Sequence, residues 1–125
     1  MTDYSEQFLE HYRRPRNLGD LASPDAVAIL HDETCGDMMR LALRVERAAD
    51  GSERVAEIRF KAYGCAATIA VGSVLTELIS GRLVAEALAL GERDLVDALG
   101  GLPPGRVHAA VLGREALRAA LARLQ

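Results

Sequence analysis

Two stretches of the chain alternate between apolar and mostly polar residues, and then the period changes. Met39, Leu41, Leu43 and Val45 alternate with Arg40, Ala42 and Arg44, while Ala56, Ile58, Phe60 and Ala62 alternate with Glu57, Arg59 and Lys61. Successive side chains of a strand point to opposite faces, so each run reads as a strand with one buried and one wet face. Asp50-Gly51 between them is hairpin-turn chemistry. The apolar run Ala26–His31 supplies a third strand, separated from the second by the turn residues Glu33-Thr34-Cys35-Gly36-Asp37. Beyond Tyr63-Gly64, residues Ala67, Val71, Val74, Leu75, Leu78 and Ile79 follow helical spacing, and Gly81 is a helix stop. Strands early and helices late predict an α+β fold, a small three-stranded antiparallel sheet with helices packed on one face.

The remaining elements are shorter. Ser5 to Tyr12 reads as a helix with Tyr4, Phe8 and Tyr12 on one stripe and His11 on its solvent side; Pro15 ends it and Arg16-Asn17-Leu18-Gly19 is a turn. Helical pieces are expected around Val84–Leu90 and Asp94–Leu99. Gly100-Gly101-Leu102-Pro103-Pro104 turns into a last helix, which Gly113 is expected to bend or split. With no linker or repeat, the 125 residues are read as one domain, 1–125, long enough to bury roughly two thirds of its unfolded surface.

Charge and composition narrow the function. A net charge of -3, with no basic arm and few aromatics, argues against nucleic acid. The absence of an 18-residue apolar run and a polar N-terminus argue against a membrane span or a signal peptide, so a cytoplasmic location is expected. Fourteen of the 15 basic residues are arginine, which a GC-rich genome explains; Arg13, Arg14 and Arg16 read by default as a solvated charge cluster. Two cysteines can build neither a disulfide framework nor an all-cysteine tetrahedral metal site.

Those cysteines nevertheless sit where chemistry is possible. Cys35 lies in the turn between two strands, and Cys65 where a strand becomes a helix, a position at which the helix dipole favours thiolate. Asp37 adds a carboxylate two residues past Cys35, and His108 an imidazole at the start of a helix after the Pro-Pro turn. Two thiolates, a carboxylate and an imidazole on three separate turns suffice for one zinc or iron ion. Spacing alone leaves blander roles open: a buried cysteine as a small hydrophobe, a turn aspartate, a structural histidine. His31, four residues before Cys35, is a further conceivable ligand.

The ordered set of short motifs resembles one family. Tyr4-Ser5-Glu6 through His11-Tyr12, Pro15-Arg16-Asn17 with Gly19, Cys35-Gly36-Asp37, Tyr63-Gly64-Cys65, Leu102-Pro103-Pro104 and His108 stand in the order found in IscU/NifU-type iron–sulfur cluster assembly scaffolds. The resemblance spans nearly the whole chain and implies the same α+β fold. It implies a carrier rather than a turnover enzyme, one that receives iron and persulfide sulfur, holds a transient [2Fe-2S] cluster or Zn2+, and releases the cluster to acceptor apo-proteins. Carried over residue by residue, Cys35 and Cys65 are thiolate ligands, His108 a ligand or near-ligand, and Asp37 an exchangeable ligand that keeps the cluster labile. A cysteine desulfurase is the implied sulfur donor, engaging the N-terminal segment and the metal-site edge.

Two departures qualify the resemblance. The family's third cysteine, directly after the histidine, is Ala109 here, which leaves Cys35, Asp37, Cys65 and His108 as the possible ligand set. An engineered substitution and a natural divergent paralogue both account for it. The Leu-Pro-Pro turn continues as Gly105-Arg106 without the family's apolar anchor, which puts recognition by a dedicated chaperone in question. The alternative function is a degenerate scaffold fold acting as a single-zinc interaction or regulatory module. The third and weakest reading is an enzyme with Cys65 as nucleophile.

Overall fold

The alternating runs fold as neighbouring strands in chain order. In the computed structural model, which describes residues 4–34 and 36–124, β1 (Ala26–His31), β2 (Met38–Arg47) and β3 (Glu53–Tyr63) form an antiparallel sheet of order β1-β2-β3. Helix α1 (Glu6–Arg13) precedes it, and α2 (Ala66–Ile79), α3 (Val84–Leu88), α4 (Glu92–Ala98), a 3-10 turn (Pro104–Arg106) and α5 (His108–Ala122) follow. Helix α2 lies against β3 and α5 against β1 and β2, while α1 packs on α2. The α+β expectation holds, with α2 and α5 side by side over one sheet face. Among the described residues no helix is long and apolar enough to cross a membrane.

The register departs from the sequence pattern at one point. Leu41 faces Phe60 and Leu43 faces Ile58, as alternation requires, but Arg44 faces Glu57 while Val45 faces Val55. Ala56 is therefore the extra residue of a bulge, and the fully buried Val55 takes the inward place expected for Ala56. The free edge of β3 is covered at both ends. The peptide groups of Asn17 and Gly19 bond Phe60 at 2.9 and 2.8 Å, and those of Gly81 and Arg82 bond Val55 at 2.7 Å each. The segment read as a mere turn, Arg16 to Gly19, is thus a strap that closes an exposed strand edge.

Phe60 is fully buried, and side-chain burial of this size is worth roughly 1.5–3 kcal/mol. Helix α2 passes so close that a Cβ on Gly72 would clash with its ring edge, against Cδ2 and Cε2 and 2.9 Å from Cγ. Gly113 has the same purpose in α5, where a Cβ would lie 2.6 Å from Val71 Cγ1. The helix runs unbroken through Gly113, so the expected split does not occur. Close helix–helix packing outweighs the roughly 1 kcal/mol by which glycine disfavours a helix.

His11 corrects a second expectation. It is buried rather than solvent-facing, because α1 rests on α2 through that side. Its Nδ1 shares a 2.7 Å hydrogen bond with Ser73 Oγ, and its Nε2 lies 3.5 Å from Glu77 Oε1. Ser73 Oγ also accepts the Arg16 N–H at 2.9 Å, so its own hydrogen is available to a neutral His11. Arg16 in turn pairs with Glu10 and Glu77, at 3.0 and 3.7 Å, so the basic cluster is partly tied into the fold. Tyr4, Phe8 and Tyr12 stack along α1 as the spacing indicated.

Burial holds the His11 pKa below its ordinary 6.5; Arg16 lowers it further, while Glu77 and Glu10 act in the opposite direction. The unfolded chain then binds a proton at this site before the folded one does. The resulting stability is complete above about pH 6.5 and is lost as pH falls through the folded-state value. Urea midpoints should therefore decline from about pH 7.5 to pH 5.5, and His11→Gln should flatten part of that decline. An unchanged slope in the variant would contradict this role.

Candidate metal centre

The site forms at one end of the sheet, where β2 begins, β3 ends and α2 and α5 both start. The β1–β2 connection closes on itself through Asp32 N–H to Asp37 carbonyl at 2.8 Å and Gly36 N–H to Asp32 carbonyl at 2.7 Å. This fixes Asp37 immediately before β2 and buries it, with only 5% of its surface exposed. Cys35, on the same connection, lies outside the described residues. Cys65 is the residue that caps α2, in extended conformation, so its sulfur sits at the positive end of the helix dipole. His108 is the first residue of α5, half-buried.

One ligand atom from each of Asp37, Cys65 and His108 lies within 4.8 Å of the others. His108 Nε2 donates to Asp37 Oδ2 at 3.3 Å, and Thr68 Oγ1 donates to the same oxygen at 2.7 Å. Thr68 Oγ1 is also 3.7 Å from Cys65 Sγ. Room for the carboxylate comes from Gly64, at φ +147°: a Cβ there would lie 2.6 Å from Asp37 Cγ and 2.9 Å from Thr68 Oγ1. A soft sulfur, a nitrogen and a hard oxygen at this spacing form a donor set that fits zinc or iron.

Other residues singled out in the sequence fall elsewhere. Ala109, at the position of the family's third cysteine, is fully buried in the core behind His108. His31 ends β1 and is not part of the three-residue ligand group among the described residues. It lines a groove of about 900 Å³ beside the site, together with Leu30, Glu33, His108, Val111 and Arg118. The Leu-Pro-Pro segment leads through the exposed 3-10 turn directly into His108.

Two residues near the centre carried no functional signal in the sequence. In sequence Thr68 is one small residue in an apolar helix, and its spacing of three from Cys65 places both on one helix face. Arg106, on the exposed 3-10 turn, lies close enough to Tyr4, Cys65 and Asp37 for all three to act on its guanidinium. Tyr4, and then Cys65, raise the pKa of that guanidinium above its ordinary value.

A family model for the NifU-like N terminal domain matches residues 3–125. The chain belongs to that family. Similar members of known description include the iron–sulfur cluster assembly scaffold protein IscU of Aquifex aeolicus, 39% identical over 119 residues that cover 95% of this chain and 74% of the relative. IscU of Haemophilus influenzae is 35% identical, covering 95% of this chain and 93% of the relative. The bifunctional protein NifU/MnmA of Rubrobacter xylanophilus is 43% identical over 94% of this chain, which spans only 23% of that longer protein. Among solved structures, the N-terminal part of a NifU-like protein from Brucella abortus superposes with a TM-score of 0.69 at 22% identity, covering 96% of this chain and 92% of that one. That likeness concerns the NifU-like fold, which agrees with the fold the ordered motifs imply.

Proposed function

We propose that this NifU-like domain is a carrier in iron–sulfur cluster assembly, holding iron or a labile [2Fe-2S] cluster through Cys35, Asp37, Cys65 and His108. The observation that carries the reading is the approach of Asp37, Cys65 and His108 to within 4.8 Å in the domain whose relatives are named as cluster scaffolds. Cys35, two residues before Asp37 in the sequence, is the proposed fourth ligand. The iron and sulfide are cargo, so the protein's task is to offer ligands strong enough to assemble them and weak enough to let go. Two thiolates supply strength toward iron, and the carboxylate supplies lability. The proposed partners are a cysteine desulfurase as sulfur source and acceptor apo-proteins as cluster recipients.

A second reading is supported by Ala109. With that residue fully buried and lacking sulfur, the proposed ligands number four and their chemistry suits one tetrahedral zinc ion. Anaerobic reconstitution with ferric iron and sulfide, alongside a titration with Zn2+, separates the two. The carrier reading expects iron and acid-labile sulfide retained in equal amounts, with charge-transfer absorption in the visible. Retention of a single zinc equivalent, with no sulfide held under any condition, would leave only the zinc module.

A further inference from the structure

We propose that Thr68 is the positioning residue of this centre, the group that keeps the Asp37 carboxylate aimed at the metal once His108 has become a ligand. The inference deepens the reading above and rests on it. Thr68 is fully buried at the third position of α2, where a side chain ordinarily turns back to the helix cap. Here its hydroxyl reaches across to a different element and donates to Asp37 Oδ2 at 2.7 Å, the shorter of the two side-chain bonds to that oxygen. With its hydrogen committed to Asp37, Thr68 Oγ1 stands as acceptor toward Cys65 Sγ at 3.7 Å. One hydroxyl therefore touches two of the proposed ligands, and Gly64 keeps the space around it clear.

The order of events makes this contact matter. His108 holds Asp37 through the hydrogen on Nε2, and a nitrogen that ligates a metal carries no hydrogen. Coordination by Nε2 therefore ends the His108–Asp37 hydrogen bond. Thr68 is then the side-chain donor left to Asp37 among the described residues. A carboxylate has lone pairs enough to accept that bond and still ligate, and groups that orient a ligand in this way are typically worth about 10–100-fold in metal affinity.

The test uses Co2+ bound anaerobically to the whole chain, read by its ligand-field and sulfur-to-cobalt charge-transfer bands and by competition with a chelator. Thr68→Val, close in shape but without the hydroxyl, should weaken Co2+ about 10–100-fold. It should shift the ligand-field bands while retaining the charge-transfer band from sulfur. Thr68→Ser should restore both affinity and spectrum. In an Asp37→Ala background, Thr68→Val should cost nothing further, because its effect passes through that carboxylate. If Thr68→Val fails to fold by circular dichroism, the comparison of Thr68→Ser with Thr68→Ala carries the same expectation. Wild-type affinity and spectrum in Thr68→Val, or an equal loss in the Asp37→Ala background, would overturn the proposal. A wild-type chain that binds no Co2+ would instead remove the metal-site reading itself.

Discussion

Gly64→Ala is expected to destabilise the fold by at least about 2 kcal/mol and to abolish tight metal binding, a larger effect than most single-methyl additions. Two causes combine. The backbone at φ +147° is rarely adopted by residues with a Cβ, and the new methyl would overlap both the Asp37 carboxylate and the Thr68 hydroxyl. Gly51→Ala separates these causes. Gly51 also has a positive φ, +90°, but a Cβ there meets nothing within 4 Å, so its substitution carries backbone strain alone. Strain of this kind costs roughly 1–3 kcal/mol. Urea unfolding of the two variants, alongside Co2+ titration, should show a loss of stability in both and a loss of metal binding only in Gly64→Ala. Equal metal affinity in Gly64→Ala and wild type would mean that the Asp37–Thr68 arrangement has no part in binding.

Cys65→Ser should produce the other large effect, a fall in Zn2+ affinity of at least about a hundredfold with little change in unfolding midpoint. Outer groups that merely orient a ligand contribute about 10–100-fold, so loss of a ligand atom itself must exceed that range. Thiolate is the soft donor of the described set, and a serine hydroxyl at the same place is a poor ligand for zinc or iron. The fold should tolerate the change because Cys65 is only partly buried and its side chain does not supply the cap bond of α2. Competition against a chromophoric chelator measures the affinity. Undiminished binding in Cys65→Ser would remove Cys65 from the centre and with it both functional readings.

How much of this was legible in advance depended on whether the determining contact was local. Strand alternation and the change of period after Tyr63-Gly64 are local, and they located the sheet and the helix behind it. The bulge that exchanges Ala56 for Val55 is set by pairing with β2, so alternation within one strand could not register it. Gly113 carries a strong local signal for a break, yet its meaning lies in Val71 on another helix. His11 was misplaced for the same reason: the helix carrying it is polar enough to look solvated, and its partners Ser73 and Glu77 are more than sixty positions away. Asp37, Cys65 and His108 were singled out because each sits beside a turn at the edge of an element. Thr68 was not, because a threonine inside an apolar helix gives no sign that its hydroxyl crosses to another segment.

The most direct measurement is X-ray absorption at the zinc edge of the wild-type chain loaded with one equivalent of Zn2+. The account expects a four-coordinate shell in which sulfur is present together with lighter nitrogen and oxygen scatterers, including the multiple-scattering signature of one imidazole. A shell of oxygen and nitrogen alone, without sulfur, would contradict it.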